Sequence, residues 1–286
     1  MCSMQEELKI LDKFKLHYYR GKPVYVHDDH RFVLPHIYDA QQKGLIPKPC
    51  KFIMFDAHHD LADVNDDAKQ LLKTLREQEQ LDEDLFFAVV KDKLRGDDAD
   101  WLKAAMELGW VSDVVVFGIR HDNDEDNPFV YTDASGTDHT VFHSGSWPGG
   151  MLGYQGDLGE HITNPDLLKL WEILGWETSK PGLRHFKENE EPIMLNFDLD
   201  VFSMDYEEFL FPWHKSVYEQ RFLKESEYFT TEGWTGKQFV QGLAEKAGAI
   251  TIAREPDYCG GRTNQEQIFS DVNEIIFDNQ IKKAKE

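Results

Sequence analysis

The stretch Lys51-Phe52-Ile53-Met54-Phe55-Asp56-Ala57-His58-His59-Asp60 sets a short apolar run directly before a cluster of carboxylates and imidazoles. A continuous apolar run of this length is the mark of a strand buried on both faces, as in a parallel sheet covered by helices. In extended backbone alternate side chains share a face, which predicts Asp56, His58 and Asp60 on one side. Far downstream, Ile193-Met194-Leu195-Asn196-Phe197-Asp198-Leu199-Asp200 repeats the design, with Asp198 and Asp200 after the apolar run. The two stretches read as the halves of a metal site.

Similar runs at 23–27, 113–118 and 249–253 predict further buried strands. Between the strands, helix-like periodicity covers 34–43, 66–78, 97–108, 166–176, 216–225, 235–246 and 264–277. Asp97, Asn164-Pro165 and Thr235 are N-terminal signals, and Gly109 and Gly248 are stops. Alternation of strand and helix predicts a single α/β domain over 1–286, three layers deep, with a mostly parallel central sheet flanked by helices. The segment 122–159, rich in Gly, Ser, Asp, Pro and aromatics, reads as a long functional loop.

The 286 residues are 41% hydrophobic, enough for a substantial core. No apolar run is long enough to span a bilayer, and Met1-Cys2-Ser3-Met4-Gln5-Glu6-Glu7 is acidic rather than basic then apolar, so no membrane association and no export are expected. Three cysteines, Cys2, Cys50 and Cys259, have no C-x-x-C spacing and suggest neither disulfides nor a zinc knuckle; a reducing cytoplasm fits. The formal net charge of −22 argues against nucleic acid as a partner and favours cationic ligands. Oligomeric state is left open.

In open α/β sheets, ligands bind beyond the carboxyl ends of the strands. His30 follows the strand ending near His27, Asp56, His58 and Asp60 follow another, and Asp198 and Asp200 a third. Four carboxylates and two imidazoles suit two hard divalent cations of the Mn²⁺ type. These motifs resemble the arginase, agmatinase and histone deacetylase superfamily, its ureohydrolase branch in particular. Asp56-Ala57-His58-His59-Asp60 matches one ureohydrolase segment. Asn196-Phe197-Asp198-Leu199-Asp200 matches a second, with Asn in place of Ser, and His27-Asp28-Asp29-His30 is similar to a third without its glycines. The resemblance implies two Mn²⁺ per chain: His30 and Asp60 on one, His58 and Asp200 on the other, Asp56 and Asp198 shared. Phe117-Gly118-Ile119-Arg120 resembles a further strand end of that family, and Glu255 falls where it keeps a glutamate that grips the substrate guanidinium.

Two departures bear on substrate. Leu61-Ala62 replaces the loop that holds the carboxylate of free arginine, and the ammonium-binding register falls on Asn123, beside Asp122, in Arg120-His121-Asp122-Asn123-Asp124. His27 to Pro35, with His30 shortly before Leu34-Pro35, looks like the opening motif of the bacterial peptide arginases, which convert arginine residues of ribosomally made peptides to ornithine. The implied reaction is attack of an activated water on the guanidinium carbon, with release of urea and an amine. A general acid is required; His121 is favoured over His59, His139 and His143. Trp147, Tyr154, Trp213 and Tyr258 are candidates for the entrance. The alternatives are a small-guanidine hydrolase of arginase or agmatinase type, a metal-dependent deacetylase, disfavoured by the extra ligand Asp60, and a non-catalytic binding protein.

Overall fold

The computed structural model describes residues 14–95, 97, 99–119, 128–144, 172–180, 183–186, 190–206, 209–224 and 235–284. The strands are β1 (Phe14–Tyr19), β2 (Lys22–His27), β3 (Cys50–Phe55), β4 (Val111–Phe117), β5 (Phe129–Thr132), β6 (Asp138–Ser144), β7 (Trp176–Lys180), β8 (Leu183–Phe186), β9 (Ile193–Asp198), β10 (Ser203–Tyr206), β11 (Phe209–Pro212), β12 (Ala247–Ala253) and β13 (Lys282–Lys283). Nine of them form one sheet in the order β13-β1-β2-β12-β9-β3-β4-β6-β5. From β2 to β6 every neighbouring pair is parallel, and the antiparallel pairs lie at the edges. β7 with β8, and β10 with β11, are separate hairpins.

Helices α1 (Val33–Gln42), α2 (Asp66–Arg76), α3 (Glu83–Asp92) and α4 (Trp101–Glu107) cover one face of the sheet; α6 (Gly236–Lys246) and α7 (Arg262–Ile275) cover the other, and α5 (Lys215–Tyr218) is a short turn leading to 219–223. Alternate residues of each central strand enter opposite cores. Phe52, Met54, Val114, Val116 and Met194 pack with Leu34, Leu72, Phe86 and Trp101. Ile53, Phe55, Val115, Leu195, Phe197 and Ile252 pack with Phe239, Leu243, Ile268 and Val272. That division explains the continuous apolar runs, since neither face meets water. The expected three-layer α/β architecture is present.

Several local expectations change. The segment 122–159 is not all loop: it contains β5 and β6, and β6 extends the parallel sheet beside β4. Helix α4 starts at Trp101, and Asp97 pairs with Arg95 instead of capping it. Of the helix expected at 166–176, residues 172–174 are helical while Trp176 opens β7. Gly248 does not stop a helix but lies inside β12, where a Cβ would stand 1.8 Å from the Leu45 carbonyl oxygen. Thr235 does cap α6, through a reciprocal capping box with Gln238. No helix among the described residues is long and apolar enough to cross a membrane.

Candidate metal centre

Three parallel strands deliver the predicted ligands to one end of the sheet: β2 ends three residues before His30, β3 one residue before Asp56, and β9 at Asp198. Strand β12, between β2 and β9, brings Glu255 to the same end. This is the carboxyl end, where diverging loops leave a crevice.

The side chains converge by a different device from strand alternation. Asp56 Oδ1 accepts the backbone N–H of His58 at 2.7 Å, and Asp198 Oδ1 accepts that of Asp200 at 2.9 Å. Each aspartate thus closes an Asx turn that swings the residue two positions on alongside it. The two turns are stitched together by the Ala57 N–H donating to Asp200 Oδ1 at 3.2 Å, while the Asp56 N–H is held by the Phe117 carbonyl at the end of β4. Asp60 is turned back towards the cluster by a left-handed backbone, φ 50°. Aspartate tolerates that region better than most residues.

His30 Nδ1 stands 2.9 Å from Asp60 Oδ2, 3.0 Å from Asp198 Oδ2 and 3.4 Å from Asp56 Oδ2. His58 Nδ1 is 2.9 Å from Asp200 Oδ2 and 3.8 Å from Asp56 Oδ1. Asp56 therefore shows one oxygen to each histidine. Two donor groups result, His30 with Asp56 and Asp198, and His58 with Asp56 and Asp200, and within each group the donor atoms lie within 4.8 Å of one another. Donors about 2.1 Å from a small hard dication stand about 3 Å apart when adjacent, which these spacings approach. Asp198 reaches the His30 group through Oδ2, and its Oδ1 accepts the Asp200 N–H just as Asp56 Oδ1 accepts that of His58.

Several carboxylates in so little space perturb one another. Burial, reinforced by Asp60, Asp198 and Asp200, pushes the Asp56 carboxyl well above its ordinary range. Burial and the neighbouring Asp200 push Asp198 up to about 7. Burial alone would lower His30, but Asp198 and Asp60 overcome it and hold the imidazole well above its usual value. The hydrogen bond to Asp200 raises His58 to about 9 against its burial. Asp56 Oδ2 is buried with no hydrogen-bond partner among the described residues. A fully buried carboxylate oxygen without a hydrogen bond is costly unless a cation meets it. The donor set therefore fits two small divalent ions.

Neighbouring residues hold the candidate ligands in place. Trp101 Nε1–H donates to Asp60 Oδ2 at 2.5 Å, and the Trp101 ring lies 4.8 Å from the His30 ring. His30 Nε2 meets Asn196 Oδ1 at 3.0 Å. Glu255, only 6% exposed and at φ 39°, accepts the backbone N–H of His30. The contact between Asn196 and His30 and the one between Trp101 and Asp60 escaped the sequence reading, because the partners are 166 and 41 residues apart.

Above the cluster lies a cavity of about 350 Å³, lined by His30, His58, His59, Asp60, Leu61, Ala62, Asp97, Ala99, Asp198, Asp200, Glu255 and Tyr258. Five of these are acids and none is Lys or Arg. Tyr258, expected at an entrance, sets its ring edge-on to His58 at 5.9 Å, whereas Trp213 packs into the core against Phe202. His59 lines the cavity. His139 lies near the start of β6 and is bonded to the Ser112 carbonyl and Asp133, remote from the carboxyl ends of the strands. His121, Asp122, Asn123, Trp147 and Tyr154 lie outside the described residues, as does the His143 side chain.

No protein-family model and no curated protein matches the chain. Among solved structures it is similar to an arginase from Helicobacter pylori, with a TM-score of 0.37 and 12% identity, over 97% of this chain and 76% of that one.

Proposed function

We propose that the chain is a dimanganese ureohydrolase that converts arginine residues of a peptide to ornithine and urea. The observation that carries this reading is Asp56, whose two oxygens divide between the histidines of two donor groups. His30 and Asp60 would hold one ion and His58 and Asp200 the other, with Asp56 and Asp198 between them. Bound there, the ions would supply a water nucleophile at neutral pH.

The remaining steps fall to the chain itself. Asp97 and Glu255, the acids of the described cavity wall outside the proposed ligand set, attract a guanidinium and concentrate it. Glu255, at the cavity wall, pairs with the guanidinium and aims its carbon towards the water. The carbon–oxygen bond forms, the bond from carbon to the chain nitrogen breaks, and that nitrogen takes a proton as it leaves. His59 is the imidazole of the described cavity wall that the proposed ligand set does not use, and we assign it the proton-donor role, with His121 the second candidate. A free arginine would also bring its own carboxylate, and among the described residues the cavity wall outside the proposed ligand set offers it the acids Asp97 and Glu255 and no Lys or Arg. Leu61 and Ala62 line the wall instead, which favours the neutral amides of a peptide.

The test is a urea assay of the Mn²⁺-loaded chain with free arginine, agmatine and an arginine-containing peptide. Urea from the peptide at the highest kcat/KM is expected. Urea from none would remove the ureohydrolase reading, and a strong preference for free arginine or agmatine would remove only the peptide specificity.

A further inference from the structure

Strand register puts a polar pair where the sheet otherwise holds large apolar side chains. Asn196 on β9 is paired with Thr251 on β12 and Met54 on β3, and Thr251 in turn with Tyr25 on β2. Asn196 and Thr251 are both fully buried. An amide there costs folding free energy unless its oxygen and nitrogen both find partners. They do: Asn196 Nδ2 donates to Thr251 Oγ1 at 2.9 Å, and Asn196 Oδ1 faces His30 Nε2 at 3.0 Å. Nothing in the packing of the sheet requires this pair, since Met194 and Ala249 fill neighbouring positions on the same face with apolar groups.

We propose that Asn196, oriented by Thr251, is a positioning residue that fixes His30 as the Nε2–H tautomer and so presents Nδ1 to the cluster as a lone-pair donor. The inference rests on reading that cluster as a metal centre. A neutral imidazole has one N–H and one lone pair, so an acceptor at Nε2 settles which nitrogen is open. Were the amide reversed, its N–H₂ would claim the Nε2 lone pair and leave the proton on Nδ1, closed to a cation. In the structure Thr251 accepts from Nδ2 and holds the amide with Oδ1 towards His30. Against the Trp101 ring, the bond also fixes the plane of the imidazole, and outer hydrogen bonds of this kind raise the basicity of a ligating histidine.

The experiment measures Mn²⁺ affinity of the full chain by competition with a chelator, with ion stoichiometry read alongside. Asn196→Leu keeps the branched shape, in a somewhat larger side chain, and removes the acceptor; it should weaken the more affected ion by about 10- to 100-fold and the other by much less. Asn196→Asp keeps an acceptor at Nε2 and should restore affinity to the wild-type level or beyond. Thr251→Val, close to isosteric, should weaken the same ion by a smaller factor and serves as the decisive variant if Asn196→Leu does not fold. In ¹⁵N-histidine spectra of the Zn²⁺-loaded protein, His30 should show its proton on Nε2. Unchanged affinity in both Asn196→Leu and Thr251→Val, or in the folded one of the two, overturns the proposal while leaving the metal centre standing. Failure of the wild-type chain to bind any divalent ion overturns the metal reading, and this proposal with it.

Discussion

Asp56 has two tasks that a substitution can separate. Oδ1 closes the turn that brings His58 alongside, and Oδ2 is buried without a hydrogen-bond partner among the described residues. Asn keeps an acceptor for the His58 N–H but removes the charge, so Asp56→Asn should fold and yet lose at least one of two Mn²⁺ ions in elemental analysis after gel filtration. Two ions retained at wild-type affinity would contradict the shared-ligand role. Glu255 is separable in the same way. Gln still accepts the His30 N–H but no longer balances a guanidinium, so Glu255→Gln should lower kcat/KM by about 10- to 100-fold with metal content unchanged. Loss of metal together with activity would instead make Glu255 a support for His30. Both acids in left-handed backbone at this site, Asp60 and Glu255, are strained residues of the kind that gather where function over-determines the structure.

At the scale of elements, the hairpin of β5 and β6 is pinned to the helical layer by one buried carboxylate. Asp133 accepts from Arg76 at 2.6 Å and from the Ser135 and Thr137 N–H groups at 2.8 and 2.9 Å. Burial opposes its ionisation, yet the Arg76 bond and the turn's donors outweigh it and hold the carboxyl far below the usual range. A folded-state value below the unfolded one, about 3.9, means stabilisation that is complete above that pH and is lost as pH falls through and beyond it. Asp133→Asn should therefore lower Tm at pH 7 and narrow its gap to wild type as the pH falls below about 4; a gap independent of pH would refute the linkage. Gly248→Ala should destabilise by about 1–3 kcal/mol or more, read from the denaturant midpoint, because the obstacle is the Leu45 backbone and not a flexible side chain. The central strands were legible because both faces are dry, whereas β6, Asp138-His139-Thr140-Val141-Phe142-His143-Ser144, alternates apolar with polar groups and resembles loop. Helix α3 was missed because Phe86-Phe87 and Val89-Val90 look like strand, although the helix buries all four. That the six candidate ligands would converge was legible from residue type and spacing, but extended backbone is not the device that brings them together: the structure uses two Asx turns and a left-handed aspartate.

For the whole molecule, 53 acids against 31 basic residues set a field that reaches well beyond the cavity. Outside the proposed ligand set, the described wall of the cavity carries the same sign, with Asp97 and Glu255 and no Lys or Arg. Low-dielectric walls focus such a field, so capture of a cationic peptide should depend on salt more than the bond-making step does. The Debye length falls from about 30 Å at 0.01 M to under 10 Å above about 0.1 M salt, which screens the distant acids and leaves those in contact with the substrate. KM for an arginine peptide should therefore rise by roughly 3- to 10-fold from about 0.01 M to about 0.3 M NaCl, with kcat nearly constant. A peptide carrying extra lysines should show the steeper dependence, and one carrying flanking glutamates a shallow or inverted one. Equal salt dependence for all three would mean that the surplus acid only solvates the surface and that the cavity recognises its ligand by contact alone. Reversing exposed acids remote from the cavity, such as Glu274 beside Lys215, separates the two contributions: each reversal should flatten the salt dependence slightly while leaving the high-salt KM where it was.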